Sequence, residues 1–150
     1  MKNRIVLVAL LGVLTACLGT WRVDDFDKLI RFDLPERVGQ IIDLSVETQF
    51  RWDRVVFYGP YTPLNQIEQE TGFQVPRDLE QEYALTDDTA YVPESVGVIV
   101  FAVNGGLVRG YQFSRTDVDI TALTGRAFNA DAARFRVVKK DTWIILEPSE

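Results

Sequence analysis

The side chains best suited to chemistry in this chain are carboxylates. Asp24, Asp25 and Asp27 fall close together, Asp87 and Asp88 are adjacent, and Asp117 and Asp119 lie two apart. Two carboxyls held about 5–10 Å apart across a cleft can act together on a glycosidic bond. Spacing along the chain does not place them on opposite walls of a cleft, and aspartates of this kind commonly cap helices or solvate loops. None of the clusters matches the twelve-residue calcium loop with its central glycine and distal glutamate. The chain has no histidine and a single cysteine, Cys17. Imidazole-based triads, zinc sites built on histidine or several thiolates, and an internal disulfide are thereby excluded. Asn104-Gly105-Gly106 has the residue types of an anion nest, but no GKS or GKT and no helical pattern follow, so a hairpin turn is expected. No catalytic residue, cofactor or metal ligand is assigned on these grounds. A glycan hydrolase working through paired carboxylates is kept as the rival to the binding role developed below.

The lone cysteine ends the only long apolar run. Lys2 and Arg4 precede an apolar stretch over residues 5–14. A positive start, a short apolar centre and small residues at the end are the form of a secretory signal. The run is shorter than the roughly 20 residues needed to span a bilayer. Its last four residues, Leu14-Thr15-Ala16-Cys17, resemble the signal of bacterial lipoproteins. The resemblance implies that the Cys17 thiol receives a diacylglycerol, that the chain is cut just before it, and that the new amino group can take a third acyl chain. Two or three chains hold far better than one, since each buried methylene adds about 0.8 kcal/mol. Leu18 stands where an inner-membrane retention signal would place Asp, which implies the periplasmic face of the outer membrane in a Gram-negative source. Residues 1–16 are thus expected to be a signal peptide and residues 17–150 a single domain on a short tether.

That domain would have 134 residues, enough to bury roughly two thirds of its unfolded surface. The chain is 47% hydrophobic and 25% charged, which suits a folded globule. Without Lys2 and Arg4 it carries 14 basic and 22 acidic residues, a net charge of −8. Neutralising phosphates needs a basic surface, so nucleic acid is not an expected partner. Electrostatic adhesion to anionic lipid is disfavoured on the same average.

Stepping along the domain, residues 20–32 carry helical spacing at Phe26, Leu29 and Ile30, and residues 36–43 suggest a second short helix interrupted by Gly39. Residues 52–58 are aromatic and β-branched, with large apolar groups on both sides, and predict an inner strand. Thr62 and Pro63 then predict a capped helix closed by Gly72, with Phe73 folding back onto Ile67. Residues 74–95 read as irregular, with one helical turn around residues 78–83. Residues 96–103 and 107–113 predict a hairpin about the Asn-Gly-Gly turn. Residues 116–125 fit either a short helix or an extended segment, and residues 134–138 and 142–147 predict a terminal hairpin. Two hairpins and an earlier strand imply an α+β domain: a small antiparallel or mixed sheet with helices packed on one face.

The rigid turn Gly59-Pro60-Tyr61-Thr62-Pro63 is the sharpest surface signal, with Tyr58 and Tyr61 beside it. Aromatic and arginine side chains make good interface anchors. Tyr58, Tyr61, Arg109 and Tyr111 are the partner contacts expected, whereas Arg134, Arg136, Lys139 and Lys140 suit a solvated strand face and Trp143 suits the core. The stretch Trp52-Asp53-Arg54-Val55 followed by Gly59-Pro60-Tyr61-Thr62 resembles one that recurs in small bacterial envelope proteins, a resemblance that implies no activity and no catalytic residue. The function expected is non-catalytic binding of another envelope or exported protein, with an inhibitor or immunity role as one form of it. A structural envelope component is the third possibility.

Overall fold

Alternating apolar residues in the middle and last thirds of the chain make the two hairpins that organise the molecule. The structure, a computed structural model, describes residues 19–23, 26–30, 33–77 and 89–149. Cys17, Asp24, Asp25, Asp87, Asp88 and the turn expected at residues 78–83 lie outside them. Strand β1 is Thr20–Val23, helix α1 is Phe26–Ile30, β2 is Ile41–Asp43, α2 is Leu44–Glu47, β3 is Arg54–Tyr58 and α3 is Leu64–Thr71. Strands β4 (Val96–Val103), β5 (Gly106–Ser114), β6 (Ala127–Asn129), β7 (Arg134–Lys140) and β8 (Trp143–Pro148) follow.

The strands form two sheets, β1-β5-β4-β3-β6 and β2-β7-β8. Among the described strands only β1 with β5 runs parallel. Inward residues of the larger sheet, Phe57, Ile99, Phe101 and Phe113 among them, meet Ile42, Phe135, Val137 and Leu146 of the smaller one. Aromatic edges lock this layer: Phe135 stands edge-on to Phe57 and Phe128 at 5.3 and 5.0 Å between ring centres. The other face of the larger sheet packs Tyr58, Val98 and Val100 against Leu64 and Ile67 of α3, with Val75 and Val92 closing the edge.

This corrects the expected α+β class. Among the described residues the molecule is mostly β, eight strands in a five- and a three-stranded sheet, and the α-helices are short, at five, four and eight residues. One face of the large sheet does carry α3, but the other is covered by a second sheet. The terminal hairpin does not join the large sheet; β7 takes β2 as its partner instead. The helix expected over residues 36–43 fails at Gly39, whose φ of 85° turns the chain while its N–H donates to the Val137 carbonyl at 2.8 Å. Ile41 and Ile42 then extend along β7, and only Ile42 is buried.

Residues 54–58 do form an inner strand, between β4 and β6. Trp52 does not share the alternation, because the chain bends at Asp53. Its indole instead enters the inter-sheet core, edge-on to Phe101, and Nε1 donates to Thr48 Oγ1 at 2.7 Å. Gly72 closes α3 at a φ of 67° as expected, but Pro63 is extended and Thr62 Oγ1 donates back to the Gly59 carbonyl rather than capping the helix. Phe73 stacks on Trp21, and Val75 fills the place next to the helix.

Candidate functional site

Strand β5 gives the molecule two ends. Gly106 to Arg109 lie at one, next to Thr20 and the β4 terminus at Val103; Ser114 and Arg115 lie at the other, next to Val96. The turn after β3 emerges at this second end, where segments 61–64 and 90–92 run antiparallel. Tyr61 N–H donates to the Val92 carbonyl at 2.8 Å, Val92 N–H to Thr62 at 2.9 Å and Leu64 N–H to Ala90 at 3.0 Å. These bonds hold Tyr61 at a φ of 64° with the residue 66% exposed. A bulky L-residue in this region is strained. The other non-glycine residues with positive φ among those described, Asn104 and Asp141, are turn-forming types at hairpin tips.

Two more exposed aromatics belong to this end. Tyr91 sits opposite Pro63 in the antiparallel bridge and is 57% exposed. Trp143, the first residue of β8, is 38% exposed. Arg115 joins them: its guanidinium lies 5.0 Å from the Trp143 ring centre and donates to Asp119 Oδ2 at 2.9 Å, and the Tyr61 phenol is within its electrostatic range. The hydrogen bond to Asp119 raises the Arg115 pKa, so the cation is fixed. Burial pushes the Asp119 carboxyl up, but hydrogen bonds from Arg115 and from the Thr121 hydroxyl and N–H outweigh it and leave the pKa lowered. Asp119 is therefore an ionised bracket for Arg115, in a geometry unlike that of a carboxyl kept protonated for acid catalysis.

The four contacts expected from sequence do not come together. Tyr61 is on this surface. Tyr58 is buried under α3 and donates to Glu70 Oε2 at 2.8 Å. Burial, with the Glu70 carboxylate beside it, pushes the phenol well above its ordinary value, so it stays a protonated donor in a cleft of about 200 Å³ shared with Arg54. Arg109 and Tyr111 lie at the opposite end, where Arg109 stacks on Phe50 at 4.3 Å and reaches the buried Tyr111 hydroxyl at 3.3 Å. Arg134 and Lys140 pair with Asp43 and Glu147, and Arg136 donates to the Gly39 carbonyl. Sequence reasoning missed Arg115 and Tyr91 and assigned Trp143 to the core. The signal for Trp143 was its place in β8: Ile144 and Leu146 face inward, so Trp143 must face out.

Among the described residues no group of three or more acidic or cysteine side chains is placed to hold a metal ion, and no helix is long and apolar enough to cross a membrane. The fold and surface define a three-layer, β-rich domain presenting an aromatic–arginine face at one end of its sheet. No family model, no curated protein and no solved structure matches the chain.

Proposed function

We propose that the protein is a lipid-anchored binding component of the cell envelope, which engages another envelope or exported protein through Tyr61, Tyr91, Arg115 and Trp143 and performs no chemistry on it. The observation that carries this reading is Tyr61, held exposed in a strained left-handed conformation beside a pinned arginine. Local strain at an outward-facing aromatic is useful to a binding surface and of no use to the core. Aromatic and arginine side chains with few free rotors lose little entropy on association. The anchor follows from the Leu14-Thr15-Ala16-Cys17 signal, and tethering raises the local concentration of the domain so that modest affinity suffices.

Photo-crosslinking tests the reading. A crosslinking amino acid placed at Tyr61 or Trp143 in the native envelope is expected to trap one and the same protein. Placed at Val46, which is exposed on α2, it should not. Equal trapping from Val46, or glycan turnover by the purified chain with no trapped protein, would overturn it.

A further inference from the structure

The cleft at the C-terminal end of α3 carries a second site, on the face of the large sheet away from the inter-sheet core. Arg54, Val56 and Tyr58 alternate onto this face of β3. Ala102 and Val100 lie beside Arg54 and Val56 in register, and Leu107 lies beside Ala102. Val56, Val100, Ala102 and Leu107 give the hollow of about 200 Å³ an apolar floor, and Arg54, Glu70 and Thr71 border it. Arg54 stands two residues to one side of Val56, and Tyr58 with its partner Glu70 two residues to the other. The Arg54 cation is near enough to act on the Tyr58 phenol electrostatically.

Glu70 is held in place by neutral donors. Its Oε2 accepts from the Tyr58 hydroxyl at 2.8 Å and its Oε1 from Gln66 Nε2 at 2.9 Å. An ionised carboxylate has about four acceptor positions, so two remain. Its neighbour on the helix, Glu68, is matched by Arg77 at 2.9 Å, but Glu70 has no cation. The last turn of α3 contains no basic residue, and the negative end of the helix dipole adds to the Glu70 charge there. Arg54 in turn makes no ion pair or hydrogen bond among the described residues, and the adjacent Asp53 accepts from Asn104 N–H at 2.7 Å. Two opposite charges, each uncompensated, thus border one hollow with an apolar floor. Both side chains are exposed, so a ligand enters from solvent without the fold opening.

We infer that this cleft binds a free amino acid with a small aliphatic side chain, its carboxylate on Arg54, its ammonium on Glu70 and its side chain on Val56, Val100 and Leu107. A carboxylic acid alone would leave Glu70 unmet, and an amine alone would leave Arg54 unmet. The size follows from the volume: about 200 Å³ is the share of about seven waters, which suits a ligand of about nine non-hydrogen atoms and is too small for a drug-sized one. The inference is independent of the Cys17 anchor and of the Tyr61 surface.

Titration of the purified full-length chain with L-leucine, leucinamide and 4-methylpentanoate, followed by methyl NMR shifts, tests it. Leucine is expected to move the signals of Val56, Val100 and Leu107 with half-saturation at about 1–10 mM, the range for about nine atoms of modest efficiency. Those of Ile42 and Val137, in the inter-sheet core, should stay in place. Leucinamide lacks the carboxylate and 4-methylpentanoate the ammonium, and each should bind about tenfold more weakly. Arg54→Gln should weaken leucine about tenfold and leave leucinamide unchanged, and Arg54→Lys should restore part of the loss. Glu70→Gln should weaken leucine likewise and leave 4-methylpentanoate unchanged; a merely structural role for either residue would alter all three probes alike. No shift at the cleft with about 50 mM leucine, or equal binding of the three probes, would overturn the inference.

Discussion

Tyr61→Gly separates what the Tyr61 side chain does for binding from what it does for folding. A left-handed backbone costs an L-residue about 1–2 kcal/mol relative to glycine. Glycine loses more backbone entropy on folding, about 0.5–1 kcal/mol. The residue is 66% exposed, so about a third of its burial energy, roughly 0.5–1 kcal/mol, is lost by any truncation of the side chain. Tyr61→Ala keeps the strain and loses the ring; Tyr61→Gly loses the ring and releases the strain. The glycine variant should therefore be about 0.5–1 kcal/mol more stable than the alanine variant, and close to the parent. The backbone bonds to Val92 are untouched in both. Urea unfolding followed by tryptophan fluorescence measures the difference, and partner capture should fall equally in the two. Should Tyr61→Gly prove less stable than Tyr61→Ala, the backbone at 61 is not strained and the argument from strain to function collapses.

Thr48→Val should destabilise by about 2 kcal/mol, because Thr48 Oγ1 both accepts from Trp52 and donates to the Leu44 carbonyl at 2.7 Å inside the core; a calorimetric loss below about 0.5 kcal/mol would mean that water replaces it. Gly110→Ala brings a Cβ to 2.1 Å from the Trp21 ring, which lies across β5. It should cost about 1–3 kcal/mol and speed hydrogen exchange in β1, and Trp21→Ala should remove most of that cost when the two are combined. Asp119 and Asp43 have pKa values lowered in the fold, so the unfolded chain takes up protons first and their stabilisation, complete above about pH 4, is lost as pH falls through the folded values. The stability gap between the parent and Asp119→Asn should thus narrow as pH falls below about 4 in urea titrations, and a gap that is constant with pH would count against the Arg115 bracket.

Long alternating segments were legible in the sequence. The β4–β5 and β7–β8 hairpins, the inner position of β3 and the Gly72 stop of α3 follow from local chemistry alone. The short strands did not, since β1, β2 and β6 have three or four residues and are extended only because a partner edge is present. Ile41 and Ile42 show the limit: their spacing from Val38 fits a helical face, and the outcome was decided by Gly39 and by β7, some 90 residues further on. Of the four residues in the proposed binding surface, the sequence singled out one. Tyr61 announced itself through the rigid turn around it, whereas Arg115, Tyr91 and Trp143 come from three separate segments that only the two-sheet arrangement makes neighbours.

The two ends of the sheet constrain one another. Arg109 on β5 and Arg115 just past its end are six residues apart, or about 20 Å, and β5 as a whole spans about 30 Å. If an acylated Cys17 holds the Gly19 end near the bilayer, the Tyr61 surface can stand roughly that far above it, beyond the reach of any residue buried in the bilayer. A partner must then rise from the membrane by a comparable distance or be soluble. The strand cannot shorten that span, because its interior pairs on both sides with β1 and β4 and it packs against aromatic rings on its inner face. Lengthening the tether is therefore the discriminating change. Inserting about ten flexible residues between Leu18 and Gly19 adds up to about 35 Å of reach and frees the orientation. Capture of a partner of matching height should weaken, while the same insertion should leave a soluble exported partner bound as before.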